Sequence, residues 1–360
     1  MKKILIINTI GMGYEGISTV IFNYLEHMDR NDFDFHFPIF QDTNTEIISK
    51  IRSLGVPHMI SNRKQNLINY LLSINEILKE GYDVVHIHGN SGTMLFEVLI
   101  SKINRVKKII VHCHNTKTDH PFLNAILKKP MIYFSDELLA CSKISGDWLY
   151  GNHPYIVLKN AINIKKFIYN AEKRKIIRES FGFKSEDFVI GHVGHFTKQK
   201  NHTFLIDIFS EIHKQKGNVK LLLVSDGPLE KAIRDKIDYL NLSKYVVFAG
   251  RRNDVCDIYN AMDFFIIPSL WEGLSLVTLE AQTNGLQVLA SKAIPEEVKC
   301  TNKIYYASVD ENPKIWAEKF FEIISSNKAD SRFEKMDNYI KNNNFDIELE
   351  SDKLKSIYNN

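Results

Sequence analysis

Residues 268–285 read PSLWEGLSLVTLEAQTNG, which sets one carboxylate, Glu272, in a loop and a second, Glu280, eight residues later in an apolar run of helical length. The preceding residues 261–267, AMDFFII, bring β-branched and aromatic side chains together without polar alternation, as a strand buried on both faces does. Ser275 is the expected N-cap of a helix running through Thr283, and Asn284-Gly285 supplies a left-handed stop. Strand, turn and helix in that order are the repeating unit of a parallel sheet. A helix N-terminus exposes unpaired N–H groups and positive dipole charge, and Gly273 lets that backbone come close to a ligand, so an anion suits the turn. On this segment alone an ordinary strand-turn-helix, with one solvated and one capping glutamate, is the favoured reading, and the rest of the chain decides.

Outward from this stretch, the same alternation fills the chain. Strands are expected at 3–8, 34–40, 83–88 and 108–114, with helical stretches at 18–28, 45–54, 67–80, 95–103 and 123–133. Gly, Pro and Asn interrupt the pattern over 151–169, which reads as an interdomain linker. Strands resume at 188–193, 220–224, 245–249, 263–267, 287–290 and 304–306, again separated by helix-length segments. The fold class is α/β, two doubly wound parallel-sheet units in tandem. A last helical stretch, 348–358, follows Asn342-Asn-Asn344.

A chain of 360 residues fits two domains of ordinary size. A net charge of +3 is too small to imply nucleic acid, although the lysine pairs at 107–108, 128–129 and 165–166 make local basic patches. Cys113, Cys141, Cys256 and Cys300 have no metal-type spacing and suit free thiols in a reducing compartment, so the expected location is cytoplasmic. The apolar run after Met1-Lys-Lys is too short for a signal peptide, is followed by Gly11, Gly13 and Glu15, and reads as a first buried strand. No apolar stretch reaches membrane-spanning length.

In open α/β sheets ligands bind beyond the carboxyl ends of the strands, so the residues after each strand are the ones to weigh. After the first comes Gly11-Met-Gly-Tyr-Glu-Gly16, a glycine-rich turn suited to phosphate, but the acidic residue of a dinucleotide site is missing after the second strand. His86 and His88, and His112 and His114, share faces by alternation. No carboxylate joins these imidazoles at a useful spacing, so they read as polar groups at a ligand cleft rather than metal ligands. Asp32-Phe-Asp34 reads as a strand entry with solvated acids. In the second half GHVGHFTKQKNH, 191–202, carries His195 and Lys200 on a glycine turn suited to a diphosphate. Two further strand-to-helix turns, SDGPLE at 225–230 and FAGRRNDV at 248–255, contribute Asp226 and Arg251.

The succession G-H-F-x-x-x-K-N, S-D-G-P-L-E, F-x-G-R-x-x-D-V and P-S-x-x-E-G-x-x-L-V-x-x-E-A-Q resembles the retaining glycosyltransferases of family 4, which have the two-domain GT-B fold. In the first half GISTVIFNYL, HCHNT, ACSKISGDWL and KNAIN are similar to the branch that builds bacterial capsular polysaccharides and exopolysaccharides. The resemblance spans nearly the whole chain. It implies an acceptor-binding domain over 1–165, a donor-binding domain over 166–340, and a C-terminal helix, 341–360, returning to the first domain.

The resemblance also implies roles. Glu272 stands beside the donor sugar, the amides of Gly273, Leu274 and Ser275 touch the diphosphate, and Glu280 accepts the ribose hydroxyls. Lys200 neutralises the leaving diphosphate, and His114 contacts the transferred sugar, so Glu272, His114 and Lys200 form the expected catalytic set. Gly16, His195, Asp226 and Arg251 complete the expected donor-binding set. His195 stands where the family commonly has Arg, and Arg251 or Arg252 is the candidate to make up the missing charge. The implied reaction is metal-independent, needs no cofactor, and uses a nucleotide-sugar donor, of the UDP type, and a glycan or lipid-linked oligosaccharide acceptor. Peripheral contact with the inner face of the cell membrane follows, and no nucleic acid. The alternatives are a nucleotide-sugar epimerase of the same fold and a non-enzymatic sugar-nucleotide-binding protein.

Overall fold

The computed structural model describes residues 1–14, 16–326, 340 and 342–360; Glu15 of the glycine-rich turn and residue 341, where the C-terminal segment is expected to begin, lie outside the described residues. It divides into two compact units, Met1–Ala161 with Asn344–Asn360, and Ile162–Asn343.

The first unit is built on a parallel sheet of seven strands, β1 (Lys2–Asn8), β2 (Phe33–Phe40), β3 (Val56–Ile60), β4 (Val84–Gly89), β5 (Lys108–Cys113), β6 (Glu137–Ala140) and β7 (Ile156–Val157), in the order β3-β2-β1-β4-β5-β6-β7. Strands of a sheet covered on both faces need no polar alternation, and Ile4, Leu5, Ile6 and Ile7 are accordingly at most 1% exposed. Three strands escape the sequence pattern for physical reasons. β3 is an edge strand, VPHMI, with only Ile60 buried. β6 has four residues and β7 two, and β7 falls inside the stretch read as linker, as does the short helix Ile164–Phe167.

The last helix, Ile347–Asn359, belongs to this unit. Its final carbonyls have no intrahelical partners, and lysines of the sheet supply them: Lys2 Nζ donates to the carbonyls of Tyr358 (3.1 Å) and Asn359 (2.6 Å), and Lys108 Nζ to that of Ile357 (2.7 Å). Tyr358 is buried in the sheet face.

The second unit holds six parallel strands, β8 (Phe188–Val193), β9 (Val219–Val224), β10 (Val246–Gly250), β11 (Phe264–Ile267), β12 (Gln287–Ser291) and β13 (Ile304–Ala307), in the order β10-β9-β8-β11-β12-β13. The direction of strand succession reverses between β8 and β11, which makes their carboxyl ends the switch point of the sheet. Asp263, just before β11, anchors this junction by accepting from Arg174 Nη2 (2.6 Å), Arg178 Nη1 (3.2 Å) and the Val189 amide (2.8 Å). The helix after β11 spans Leu276–Thr283 and stops at Gly285, whose φ of +77° favours glycine. Ser275 holds the N-cap position but does not cap with its side chain; its hydroxyl accepts from Thr278 Oγ1 at 2.8 Å instead. All four cysteines are free thiols, and among the described residues no helix is long and apolar enough to cross a membrane.

Candidate active site

The loops that leave β8 and β11 are sewn together by backbone and side-chain bonds. Asn201 adopts a left-handed conformation (φ +55°) between the turn Lys198–Lys200 and the helix His202–Gln215, and its side-chain Nδ2 donates to the Pro268 carbonyl at 3.2 Å. The Leu270 amide donates to the Gln199 carbonyl (2.8 Å), and Gln199 Nε2 to that of Trp271 (3.0 Å). This places Lys200 Nζ 2.6 Å from Glu272 Oε1. Ser269 Oγ donates to the same oxygen at 2.9 Å, and Gln199 Nε2 to Oε2 at 3.2 Å. The two charged side chains are only 17% and 8% exposed, so little solvent screens the pair. His192 and His202 pack next to it, and burial, reinforced by the Lys200 charge, lowers their pKa values to about 4 and about 2. Both rings are neutral near pH 7, leaving positive charge concentrated on Lys200.

Glu280 extends from the following helix, where Tyr259 donates to its Oε2 at 2.8 Å. Burial raises its carboxyl to about 7, against the opposing pull of the Tyr259 hydrogen bond and the Lys200 charge. A ligand that donates hydrogen bonds to it favours the ionised form.

The turns after β9 and β10 form a third cluster. Ser225 bridges Gly250 through its amide (2.9 Å), and Gly227 lies so close to the β8 loop that a Cβ there would stand 2.5 Å from the Phe196 nitrogen. Asp226 Oδ1 thereby accepts from Arg251 Nη2 (2.8 Å) and lies 3.4 Å from His195 Nδ1. Arg252 pairs locally with Asp254 at 2.7 Å, so of the two arginines Arg251 is the one joined to His195. The second unit thus gathers Lys200 with Glu272, and His195 with Asp226 and Arg251, at turns on one sheet edge. Leu274 and Ser275 are buried at the start of the Glu280 helix, beside Gly273.

Gly16 and His114 lie in the first unit. Gly16 opens the helix Gly16–His27 with open space where a Cβ would be, whereas Gly11 is the glycine its turn requires, with φ +92° and Phe40 Cδ2 2.6 Å from a Cβ. The turn is held internally, the Gly13 amide donating to Ser18 Oγ at 3.0 Å. His114 Nε2 lies 2.9 Å from His88 Nδ1, and burial lowers its pKa to about 3.

Sequence reasoning missed Ser269, Gln199 and Tyr259, which orient the two glutamates. Ser269 and Gln199 sit inside the motifs that carry Glu272 and Lys200, so adjacency was a usable signal. Tyr259 stands 21 positions from Glu280 and had none.

Residues 187–326 match the family described as glycosyl transferases group 1. The chain is 26% identical over 341 residues to the capsular polysaccharide biosynthesis glycosyltransferase CapH of Staphylococcus aureus, covering 91% of this chain and 90% of that one. It is 27% identical over 308 residues to the UDP-Gal:alpha-D-GlcNAc-diphosphoundecaprenol alpha-1,3-galactosyltransferase of Escherichia coli, covering 80% and 78%. Among solved structures it superposes on Anabaena HepE in complex with UDP-glucose with a TM-score of 0.81, at 17% identity and 99% coverage of both chains.

Proposed function

We propose, from the premise that the chain has the GT-B fold and carries a glycosyl transferases group 1 domain, that it transfers a sugar with retention from a UDP-sugar to a lipid-linked glycan in the synthesis of a surface polysaccharide. The observation that carries this reading is the shielded Lys200–Glu272 pair at the switch point of the second sheet, in the segment that also presents Glu280. As the bond between the anomeric carbon and the diphosphate breaks, negative charge grows on the leaving phosphate. Lys200, Arg251 and the amides at the start of the helix Leu276–Thr283 offset it, so no divalent ion is needed there. Glu272 accepts sugar hydroxyls and Glu280 the ribose hydroxyls. The acceptor oxygen bonds to the anomeric carbon on the face the phosphate leaves, and its proton passes to the departing phosphate oxygen. The first unit takes the acceptor, with neutral His114 as a hydrogen-bonding group for a sugar hydroxyl.

The UDP type of donor and the lipid-linked acceptor are supported by what the E. coli and Anabaena relatives are named for. Peripheral contact with the cytoplasmic face of the membrane is supported by the helix Pro121–Phe134, which exposes Phe122 (76%), Ile126 (55%) and Tyr133 (82%) beside Lys129. An aromatic and basic helix face suits an anionic lipid surface. A panel of nucleotide sugars screened by thermal shift, with turnover then measured on whichever donor stabilises the chain, tests the assignment. A UDP-sugar is expected to give the largest shift, and stabilisation by no nucleotide sugar sinks it.

A further inference from the structure

Three histidines of the first unit have no part in the chemistry above. His86 and His88 on β4 and His112 on β5 pack ring against ring together with His114, with centroid separations of 4.0 Å (His86–His88), 5.4 Å (His86–His112) and 4.1 Å (His112–His114). His86, His88 and His112 line a small cavity with Tyr24 of the helix Gly16–His27 and Tyr358 of the helix Ile347–Asn359. None of the four is more than 7% exposed.

A buried neutral imidazole has one N–H and one lone pair, and both ordinarily find partners. Here Nε2 of His86, both nitrogens of His112 and Nδ1 of His114 have no hydrogen-bond partner among the described residues. His86 Nδ1 stands 2.7 Å from the Tyr358 hydroxyl and His88 Nδ1 2.9 Å from His114 Nε2. In the tautomers that carry the proton on those two Nδ1 atoms, the Tyr358 hydroxyl and His114 Nε2 accept it, and Nε2 of His86 and of His88 present lone pairs. One ring nitrogen each from His86, His88 and His112 lies within 4.8 Å of the others.

We propose that His86, His88 and His112 bind a divalent transition-metal ion, with zinc the first candidate, inside the first unit. Three imidazoles with a fourth position left to a small molecule form a recognised zinc set that needs no carboxylate, so the missing carboxylate that argued against a metal in the sequence does not exclude one. The ion ties β4 to β5 and, through His86 and Tyr358, to the last helix. It is distant in role from the diphosphate chemistry, which rests on the second unit. The rival occupant of the cavity is ordered water.

Elemental analysis of protein from zinc-supplemented cells, together with the visible spectrum of protein refolded with Co²⁺, separates the two. One ion per chain that survives gel filtration, with the intense bands of four-coordinate cobalt, is expected. Both are lost in His86→Phe and His112→Phe and kept in His58→Gln, which alters the separate group His36, His58 and Glu80. Absence of bound ion from the wild type after both treatments, or equal binding by His112→Phe, overturns the proposal. If the His86 and His112 variants do not fold, the wild-type metal content and cobalt spectrum decide.

Discussion

Lys200 Nζ and Glu272 Oε1 stand 2.6 Å apart at the switch point of the second sheet, with Ser269 Oγ 2.9 Å from the same oxygen. Removing one partner of a pair this shielded leaves the other charge without compensation. Lys200→Met is expected to lower unfolding free energy by about 3 kcal/mol. In Lys200→Met/Glu272→Gln part of that loss returns, because neither charge remains. Urea unfolding of the four proteins of the cycle measures it. Single effects that add to within about 0.5 kcal/mol would show the pair to be uncoupled.

Glu280 gives a pH dependence whose sign is fixed by its raised pKa of about 7. Between the ordinary carboxylate range and that value the folded state holds a proton that the unfolded state has released. The contribution to stability is therefore full in acid and is lost as pH rises through about 7. Glu280→Gln should match the wild type near pH 4 and exceed it near pH 8 by up to about 3 kcal/mol, without nucleotide. Ribose hydroxyls favour the ionised carboxylate, so wild-type affinity for UDP should gain more than that of Glu280→Gln between about pH 6 and about pH 8. Parallel affinity curves from calorimetry would remove Glu280 from the ribose site.

Asp226 links Arg251 to His195, at 2.8 Å and 3.4 Å. Arg251→Ala is expected to weaken UDP binding by roughly tenfold or more, as loss of a charged hydrogen-bond partner does, and UMP binding by much less. His195→Arg in that background should restore part of the difference. Equal losses for UDP and UMP would place Arg251 away from the terminal phosphate.

How far each part was legible follows from where its cause lies. Ile4–Ile7 and Phe264–Ile267 announced buried parallel strands because burial on both faces leaves a continuous apolar run. Edge strand β3 and the short β6 and β7 leave no such run. Lys200, Glu272 and Glu280 were legible because each sits in a compact turn-and-helix motif. The contact between Lys200 and Glu272 was not, since they are 72 positions apart and are joined only when β8 pairs with β11. Likewise, alternation put His86 and His88 on one face, but their burial comes in part from Tyr358, 272 positions from His86.

The helix Pro121–Phe134 supplies a surface test. Phe122→Ser/Ile126→Ser/Tyr133→Ser should reduce sedimentation with vesicles rich in anionic lipid by several-fold, because it removes the apolar anchors while leaving the lysines. Circular dichroism should be unchanged, since all three side chains are exposed. Undiminished sedimentation of the triple variant contradicts a membrane role for this helix.

The central claim is transfer from a UDP-sugar on a site built around Lys200 and Glu272. Its most direct measurement is an NMR time course of a UDP-sugar with a diphospholipid-linked glycan, run after EDTA treatment and again with Mg²⁺. The expected result is UDP release that requires the acceptor, a product with the anomeric configuration of the donor, and no gain from Mg²⁺. Lys200→Met should slow it by roughly 10²-fold, the loss typical of a group that stabilises transition-state charge. Free sugar epimer formed without acceptor, nucleotide binding with no turnover across the donor panel, or a Lys200→Met variant as fast as the wild type would contradict it.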